Sequence, residues 1–148
     1  MMGDIEDLVR RIVDQVLSRR PKPSIGTVTS YDPNRYAAKV LLQPKGVETG
    51  WLPIETGHIG NGFGIAIGLT AGDQVKVDYV GGDKDAPSIT GRLHSDQERP
   101  PVAQSGEIVI QSAAGFILKA DQAGVLTLST NGQNININAG GGTVNING

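Results

Sequence analysis

The sequence predicts a mainly β protein with an N-terminal helix, a small β-barrel and a repeated C-terminal β segment. Three observations lead to this fold class. Apolar residues recur at helical spacing within the first twenty positions, short alternating runs begin at Ser24, and from Glu107 the alternation repeats every nine residues. The predicted divisions are 1–23 (helix and connector), 24–95 (barrel), 96–106 (linker) and 107–148 (repeat).

Residues 4–20 are predicted to form an amphipathic helix. Asp4 suits the N-cap, and Arg19 and Arg20 complement the negative end of the helix dipole. Four β-branched residues fall at alternating d and a positions of a heptad, a composition that favours three- or four-stranded coiled coils. These residues are Ile5, Val9, Ile12 and Val16. Two heptads also fit a surface helix packed on a neighbour, so the sequence leaves both interpretations open.

The middle of the chain is predicted to form a set of short strands. An extended R-P-K-P connector at 20–23 ends the helix, because proline cannot continue it. The predicted strands are 24–31, 36–43, 63–69, 73–80 and 88–94, with a further short one opening at Trp51 and Leu52. Turn-forming residues separate them, and no helix interrupts them. This pattern predicts a small Greek-key barrel of the OB type. The polar, proline-bearing segment 96–106 is the predicted linker.

The C-terminal repeat places aliphatic residues at the second and fourth positions of each nine-residue segment, so they share one face of a strand. The segment FILKADQAG is ambiguous. One register pairs Ile117 with Lys119, whereas a one-residue shift puts Phe116 and Leu118 on the apolar face, and each register excludes the other. With the shift, the predicted apolar face consists of Ile108, Ile110, Phe116, Leu118, Leu126, Leu128, Ile135, Ile137, Val144 and Ile146.

A single chain that folds as a thin meander cannot cover its own aliphatic face. An exposed apolar surface of this extent is typical of an interface. The simplest closure is threefold: three copies intertwine and direct their aliphatic faces at a common axis. We therefore predict a homotrimeric β-prism, an inference that depends on the missing cover rather than on the period itself.

Composition argues against several function classes. The chain has no cysteine, which excludes disulfides and thiolate metal sites, and its formal net charge of −2 lacks the basic excess of a nucleic-acid binder. Residues 57–64, GHIGNGFG, are not followed by the Lys-Ser/Thr and helix of a phosphate-binding loop. His58 has no partner nucleophile in a known pattern. The sequence thus predicts no catalytic residue, no metal and no cofactor, and we expect no enzyme activity.

The order of parts resembles a known family. Residues 72–101, GDQVKVDYVGGDKDAPSITGRLHSDQERPP, followed by a glycine-rich β repeat, resemble the baseplate assembly protein V or central-spike family of contractile-tailed phages. That family is related to the spike proteins of type VI secretion. The most specific stretches are Gly72–Asp73, the acidic turn 82–87 and Gly91–Arg92–Leu93, and the resemblance extends over nearly the whole chain.

The resemblance implies an OB-fold domain at the tail hub, a homotrimer, and a triple-stranded β-helix that pierces the host envelope when the sheath contracts. It implies a structural protein of the virion, assembled in the host cytoplasm and located in the tail baseplate. The expected partners are baseplate hub and tail-tube proteins, with transient contact with the host envelope and no nucleic acid. The N-terminal helix would lie on the hub side, where it could hold the trimer or meet other baseplate proteins.

One departure from the family concerns the tip. Many members end in His-x-His motifs that hold an iron ion, but the histidines of this chain are His58 and His94, both in the barrel region. No tip metal is therefore expected. Either a separate tip protein caps the prism or packing alone holds its end.

Two other function classes are compatible with parts of the sequence. An OB-fold nucleic-acid-binding module would use aromatic residues in a basic groove, but it would leave the repeat unexplained. The available residues are Tyr31, Tyr36, Trp51, Lys39, Lys45, Lys76 and Arg92. A trimeric host-receptor-binding or carbohydrate-binding fibre would share the prism, but it needs no barrel and usually ends in a globular head.

Overall fold

A computed structural model describes residues 2–147 of the chain. The protein is mainly β, with one N-terminal helix and antiparallel sheets. It divides into two compact units, one extending to Glu98 and the other beginning at Arg99. This division falls within the segment 96–106 that composition marks as a linker.

The helix α1 spans Met2–Arg19. It begins earlier than predicted, so the assignment of Asp4 as N-cap is wrong. Asp4 lies inside the first turn, where its carboxylate still complements the positive end of the helix dipole. The helix ends at Arg19, two residues before Pro21, because the residue that precedes a proline is disfavoured in the helical region.

Six strands follow in the first unit. They are β1 (Ser24–Asp32), β2 (Ala37–Leu42), β3 (Val47–Glu48), β4 (Leu52–Pro53), β5 (Gln74–Tyr79) and β6 (Pro87–Arg92). The sheet order is β3-β2-β1-β5-β6, and β4 also pairs with β2. A parallel bridge between Ile54, directly after β4, and Ile89 connects β4 to β6. The strand pairs therefore close into a ring.

Alternate residues of these strands fill the interior of the ring. Val28, Val40, Val75, Val77 and Ile89 are at most 2% exposed. Their β-branched side chains suit a pleated surface, which is why alternation predicted β1, β2, β5 and β6. The complete buried cluster is Val28, Ala38, Val40, Leu52, Ile54, Leu69, Val75, Val77 and Ile89.

The prediction of a strand at residues 63–69 is wrong. Ile65 donates its backbone N–H to the carbonyl of His58, and Gly64 adopts a φ of 137°. The segment thus folds back on the residues before it instead of joining the sheet. Only Leu69, at its end, reaches the core, whereas Ile65 and Ile67 are exposed. The short strand β3 had no sequence signal that predicted it.

The second unit contains an antiparallel meander of β7 (Ile108–Gln111), β8 (Ile117–Ala120) and β9 (Leu126–Ser129). Its turns repeat with the sequence. Gly115 donates to the carbonyl of Ser112 and Gly124 to that of Asp121, both at 3.1 Å. The two glycines have φ of 95° and 84°, a region that side chains disfavour. The nine-residue period is therefore present in the backbone hydrogen bonds.

The last two repeats differ from the first three. Strands were predicted in them too, but residues 134–138 and 143–147 form no strand in the single chain. The turn between them persists, since Gly142 donates to the carbonyl of Ala139 at 2.9 Å. A strand needs a hydrogen-bonded partner, and within the described part of this chain these residues have none.

The barrel core gives a direct test. Ile89→Ala should lower the free energy of unfolding by about 2–5 kcal/mol, because it leaves a cavity among buried side chains. Trp51 is the single tryptophan and lies beside β4, so its fluorescence during urea unfolding reports on the barrel. Val80→Ala, at a side chain that is 65% exposed, is the control and should change the midpoint little. Equal effects of the two substitutions would contradict the core assignment.

Candidate assembly surfaces

The strand pairing of the second unit decides which side chains share a face. Ile110 is opposite Leu118 in the β7–β8 pair, and Leu118 is opposite Leu128 in the β8–β9 pair. Directly opposed residues of antiparallel strands point to the same side of the sheet. Lys119 is instead opposite Val109 and Thr127. The meander therefore adopts the shifted register, with Leu118 rather than Lys119 beside the aliphatic residues.

An ion pair occupies the other face of the meander. The Lys119 ammonium lies 3.7 Å from a carboxylate oxygen of Glu107, whose side chain is only 8% exposed. The second carboxylate oxygen of Glu107 accepts the backbone N–H of Gln104 at 2.9 Å. One face of the sheet thus holds this ion pair beside Val109, Ile117 and Thr127, while the other face is aliphatic.

The aliphatic face is bare. None of the residues 99–147 is buried as a whole. Leu118 is half-buried, and the other apolar residues proposed from the repeat are between 38% and 87% exposed. These are Ile108, Ile110, Phe116, Leu126, Leu128, Ile135, Ile137, Val144 and Ile146. A unit with no buried residue has no hydrophobic core of its own, and an isolated meander of this size is at best marginally stable.

A second bare apolar surface lies on α1. Ile5, Val9, Ile12 and Val16, the heptad residues found from the sequence, are 50–66% exposed. Three residues outside the a and d positions are exposed as well and had been overlooked: Leu8, Val13 and Leu17. We call these seven residues the helix stripe. It is wider than a coiled-coil seam, because it extends to both sides of the a and d positions.

The stretches that carry the family resemblance meet in one cluster. The Arg92 guanidinium lies 3.1 Å from a carboxylate oxygen of Asp73 and 2.7 Å from one of Glu98. The other oxygen of Asp73 accepts the backbone N–H of Thr70 at 2.8 Å. The cluster thus links the turn before β5, the end of β6 and the last residue of the first unit. Sequence reasoning identified Gly72–Asp73 and Gly91–Arg92–Leu93 as distinctive but not as partners.

The aromatic and basic residues considered for nucleic-acid binding do not form a single groove. Trp51 is 38% exposed and has cationic groups of Arg35 and Lys39 at 5.8 and 5.2 Å from its ring centroid. Tyr31 and Tyr36 pack against the barrel core, and Arg92 is held by its two carboxylates. Lys45 is in the exposed turn after β2, and Lys76 is an exposed residue of β5.

The histidines take no part in a cluster of candidate metal ligands. Among residues 2–147, no group of three or more His, Cys, Asp or Glu side chains could hold a metal ion. The His58 ring lies 5.6 Å from that of Phe63, and His94 is exposed. Within the same range, no helix combines the length and the apolar composition needed to cross a bilayer.

Comparison with known proteins adds no name to these surfaces. No family model matches the chain, and no curated protein matches it. The function of the chain is therefore inferred from the resemblance of residues 72–101 and from the surfaces described above.

Removing the guanidinium of Arg92 should destabilise the barrel. Arg92→Leu leaves the nearly buried Asp73 carboxylate without its cation, so we expect a loss of about 1–3 kcal/mol in the free energy of unfolding, measured by Trp51 fluorescence in urea. Lys84→Leu removes a cation from the exposed turn before β6 and serves as the control. If Arg92→Leu unfolds at the same urea concentration as the wild type, the cluster contributes nothing to stability.

Proposed function

We propose that this protein is the central spike of a contractile tail, a homotrimeric, non-enzymatic needle at the distal end of the tail tube. In this proposal the second unit forms a triple-stranded β-prism and the first unit an OB-fold domain at the baseplate hub. The observation that carries the proposal is the aliphatic face of the second unit, which is continuous over β7–β9 and uncovered.

A threefold prism supplies the missing core. Three copies that direct Ile110, Leu118 and Leu128 at a common axis would bury these side chains against their equivalents. Each buried methylene group contributes about 0.8 kcal/mol. The Lys119 ammonium would stay on the outside, partly in contact with water, and would keep the Glu107 carboxylate as its partner. The two faces of the meander thus suit the inside and the outside of a prism.

The pairing of strands refines the expected intertwining. The first three repeats already pair within one chain, so each chain would contribute a small sheet to one side of the prism. Residues 134–138 and 143–147 lack such partners. In our proposal these last two repeats intertwine and pair with the neighbouring copies, which closes the free edges of the distal end.

The first unit supports the OB assignment. Five strands close in the order β4-β2-β1-β5-β6, with the parallel bridge from Ile54 to Ile89 completing the ring. A five-stranded Greek-key barrel of this size is the OB architecture. The resemblance of residues 72–101 to central-spike proteins supports the location at the tail hub.

The proposed work is mechanical. A closed prism places its hydrogen bonds between neighbouring strands along the axis, so a compressive force acts on many of them together. The outward residues of the last repeats are asparagines, which keep the surface polar and uncharged for passage through an envelope. In this proposal a separate tip protein caps the distal end of the prism.

The oligomeric mass is the decisive measurement. Light scattering after size exclusion should give three times 15.5 kDa for the wild type. Ile137→Asp should abolish the trimer or its heat resistance, because it places three carboxylates on a desolvated axis at a cost of several kcal/mol for each ion. Asn136→Asp, at the adjacent outward position, is the control and should remain trimeric. A monomeric wild type, or an Ile137→Asp variant as trimeric and heat-resistant as the wild type, would refute the prism.

The register of β8 gives an independent test. Leu118→Gln should destabilise the trimer strongly, because it buries an amide without a partner on the axis. Lys119→Arg keeps a cation beside the nearly buried carboxylate of Glu107, so its effect should stay within about 1 kcal/mol. The midpoint of thermal dissociation, followed by light scattering, distinguishes the two variants. A larger effect at Lys119 than at Leu118 would show that the other face is the interior.

A further inference from the structure

The loop between β4 and β5 contains a tight, preformed hairpin. Gly60 donates its backbone N–H to the carbonyl of Phe63 at 2.8 Å, and Ile65 donates to that of His58 at 3.1 Å. Asn61 and Gly62 form the turn, with a φ of 80° at Gly62. A positive φ at the second turn residue is readily adopted by glycine. We call residues 58–67 the apolar hairpin.

The aromatic side chain of this hairpin is held in place although it is not buried. A Cβ added to Gly60 would lie 2.2 Å from the ring of Phe63, so this ring rests directly on the glycine backbone. The His58 ring is 5.6 Å away on the same hairpin. Phe63 nevertheless stays 67% exposed. The surface is therefore formed before any partner arrives.

The exposed surface of the hairpin is apolar and uncharged. Ile59, Phe63, Ile65 and Ile67 are 58–68% exposed, and no Asp, Glu, Lys or Arg occurs between Gly57 and Gly72. Together they offer on the order of several hundred Å² of apolar surface, the extent at which a patch marks an interface. An uncharged apolar partner would suit it, because a charged one would lose hydration without gaining an ion pair.

The chain itself contains such a partner. The helix stripe presents seven exposed aliphatic side chains, and the charged residues Asp7, Arg11 and Asp14 lie on the opposite side of α1. Both surfaces are exposed in the single chain, so neither covers the other there. The R-P-K-P connector limits how far α1 can lie from its own barrel, because a proline-rich segment is semi-rigid and spans about 3.1 Å per residue.

Packing of three helices on one another would cover only part of the helix stripe. A coiled-coil seam covers Ile5, Val9, Ile12 and Val16 but not the full width of the stripe, which includes Leu8, Val13 and Leu17. It would also leave the apolar hairpin bare. Contact between the stripe of one copy and the hairpin of another covers both surfaces at once.

We propose that α1 of each copy packs across the apolar hairpin of the next copy, an exchange that rests on the proposed trimer. Each copy then gives one helix and receives one. This contact is heterologous, and three such contacts close a ring under threefold symmetry. The exchange ties the three barrels together independently of the prism.

Cysteine cross-linking tests the contact, because the natural chain contains no cysteine. The double variant Val9→Cys/Ile65→Cys is purified, its trimeric mass is verified by light scattering, and it is treated with a short bis-maleimide. We expect a covalent trimer in a denaturing gel, with bridges between positions 9 and 65 found by peptide mass spectrometry. Asp14→Cys/Ile65→Cys, with the thiol on the far side of α1, is the matched control and should give at least tenfold less cross-linked product.

The outcomes separate the two proposals. A monomeric mass before cross-linking removes the trimer, and with it the exchange. A trimer whose positions 9 and 65 do not cross-link, or bridge only within one chain, overturns the exchange and leaves the spike proposal standing. Efficient bridging of Val9→Cys alone into dimers also overturns it, since that result places the helices against each other.

Discussion

Apolar surface that a single chain cannot cover is the constraint on which the rest of this structure depends. The barrel of the first unit encloses its own core around Ile89 and Val75, and its strands close into a ring. None of residues 99–147, the described part of the second unit, is buried, yet the strands and turns of this unit repeat with a regular nine-residue period. A regular backbone without a core is stable only if something covers its aliphatic face, because hydrophobic burial offsets most of the conformational entropy lost on folding. The proposed threefold association follows from this deficit.

The two units differ in whether their edge strands are paired within one chain. In the barrel, the bridge from Ile54 to Ile89 connects β4 to β6, so the ring β4-β2-β1-β5-β6 closes within one chain. In the second unit, β7 and β9 are open edges, and residues 134–138 and 143–147 pair with no strand in the described part of the chain. Open edges with alternating aliphatic residues are prone to pair with other chains. Association in register and indiscriminate aggregation therefore start from the same exposed groups, and the regular turns at Gly115 and Gly124 favour the ordered outcome.

The sequence predicted those elements that a local pattern of apolar residues identifies. Alternating Val75 and Val77 identified β5, and the helical spacing of Ile5 and Val9 identified α1. The same alternation failed at residues 63–69, because Gly64 and the preceding hairpin take up the backbone hydrogen bonds that a strand would need. The pairing of Asp73 with Arg92 depends on β5 and β6 being neighbours, which no local pattern encodes. Contacts between distant positions were thus the part that the sequence could not supply.

Lys119 shows how one charged side chain orients a repeat. By the nine-residue period alone it would belong to the aliphatic set, and the sequence left two registers open. Pairing with Val109 and Thr127 places it on the other face, where its ammonium group forms an ion pair with Glu107. Burying that face would cost the hydration of the Lys119 ammonium, whose side chain is 42% exposed, whereas burying the opposite face removes only hydrocarbon from water. The ion pair therefore decides which face of the meander is free to associate, and the direction of the proposed prism axis follows from it.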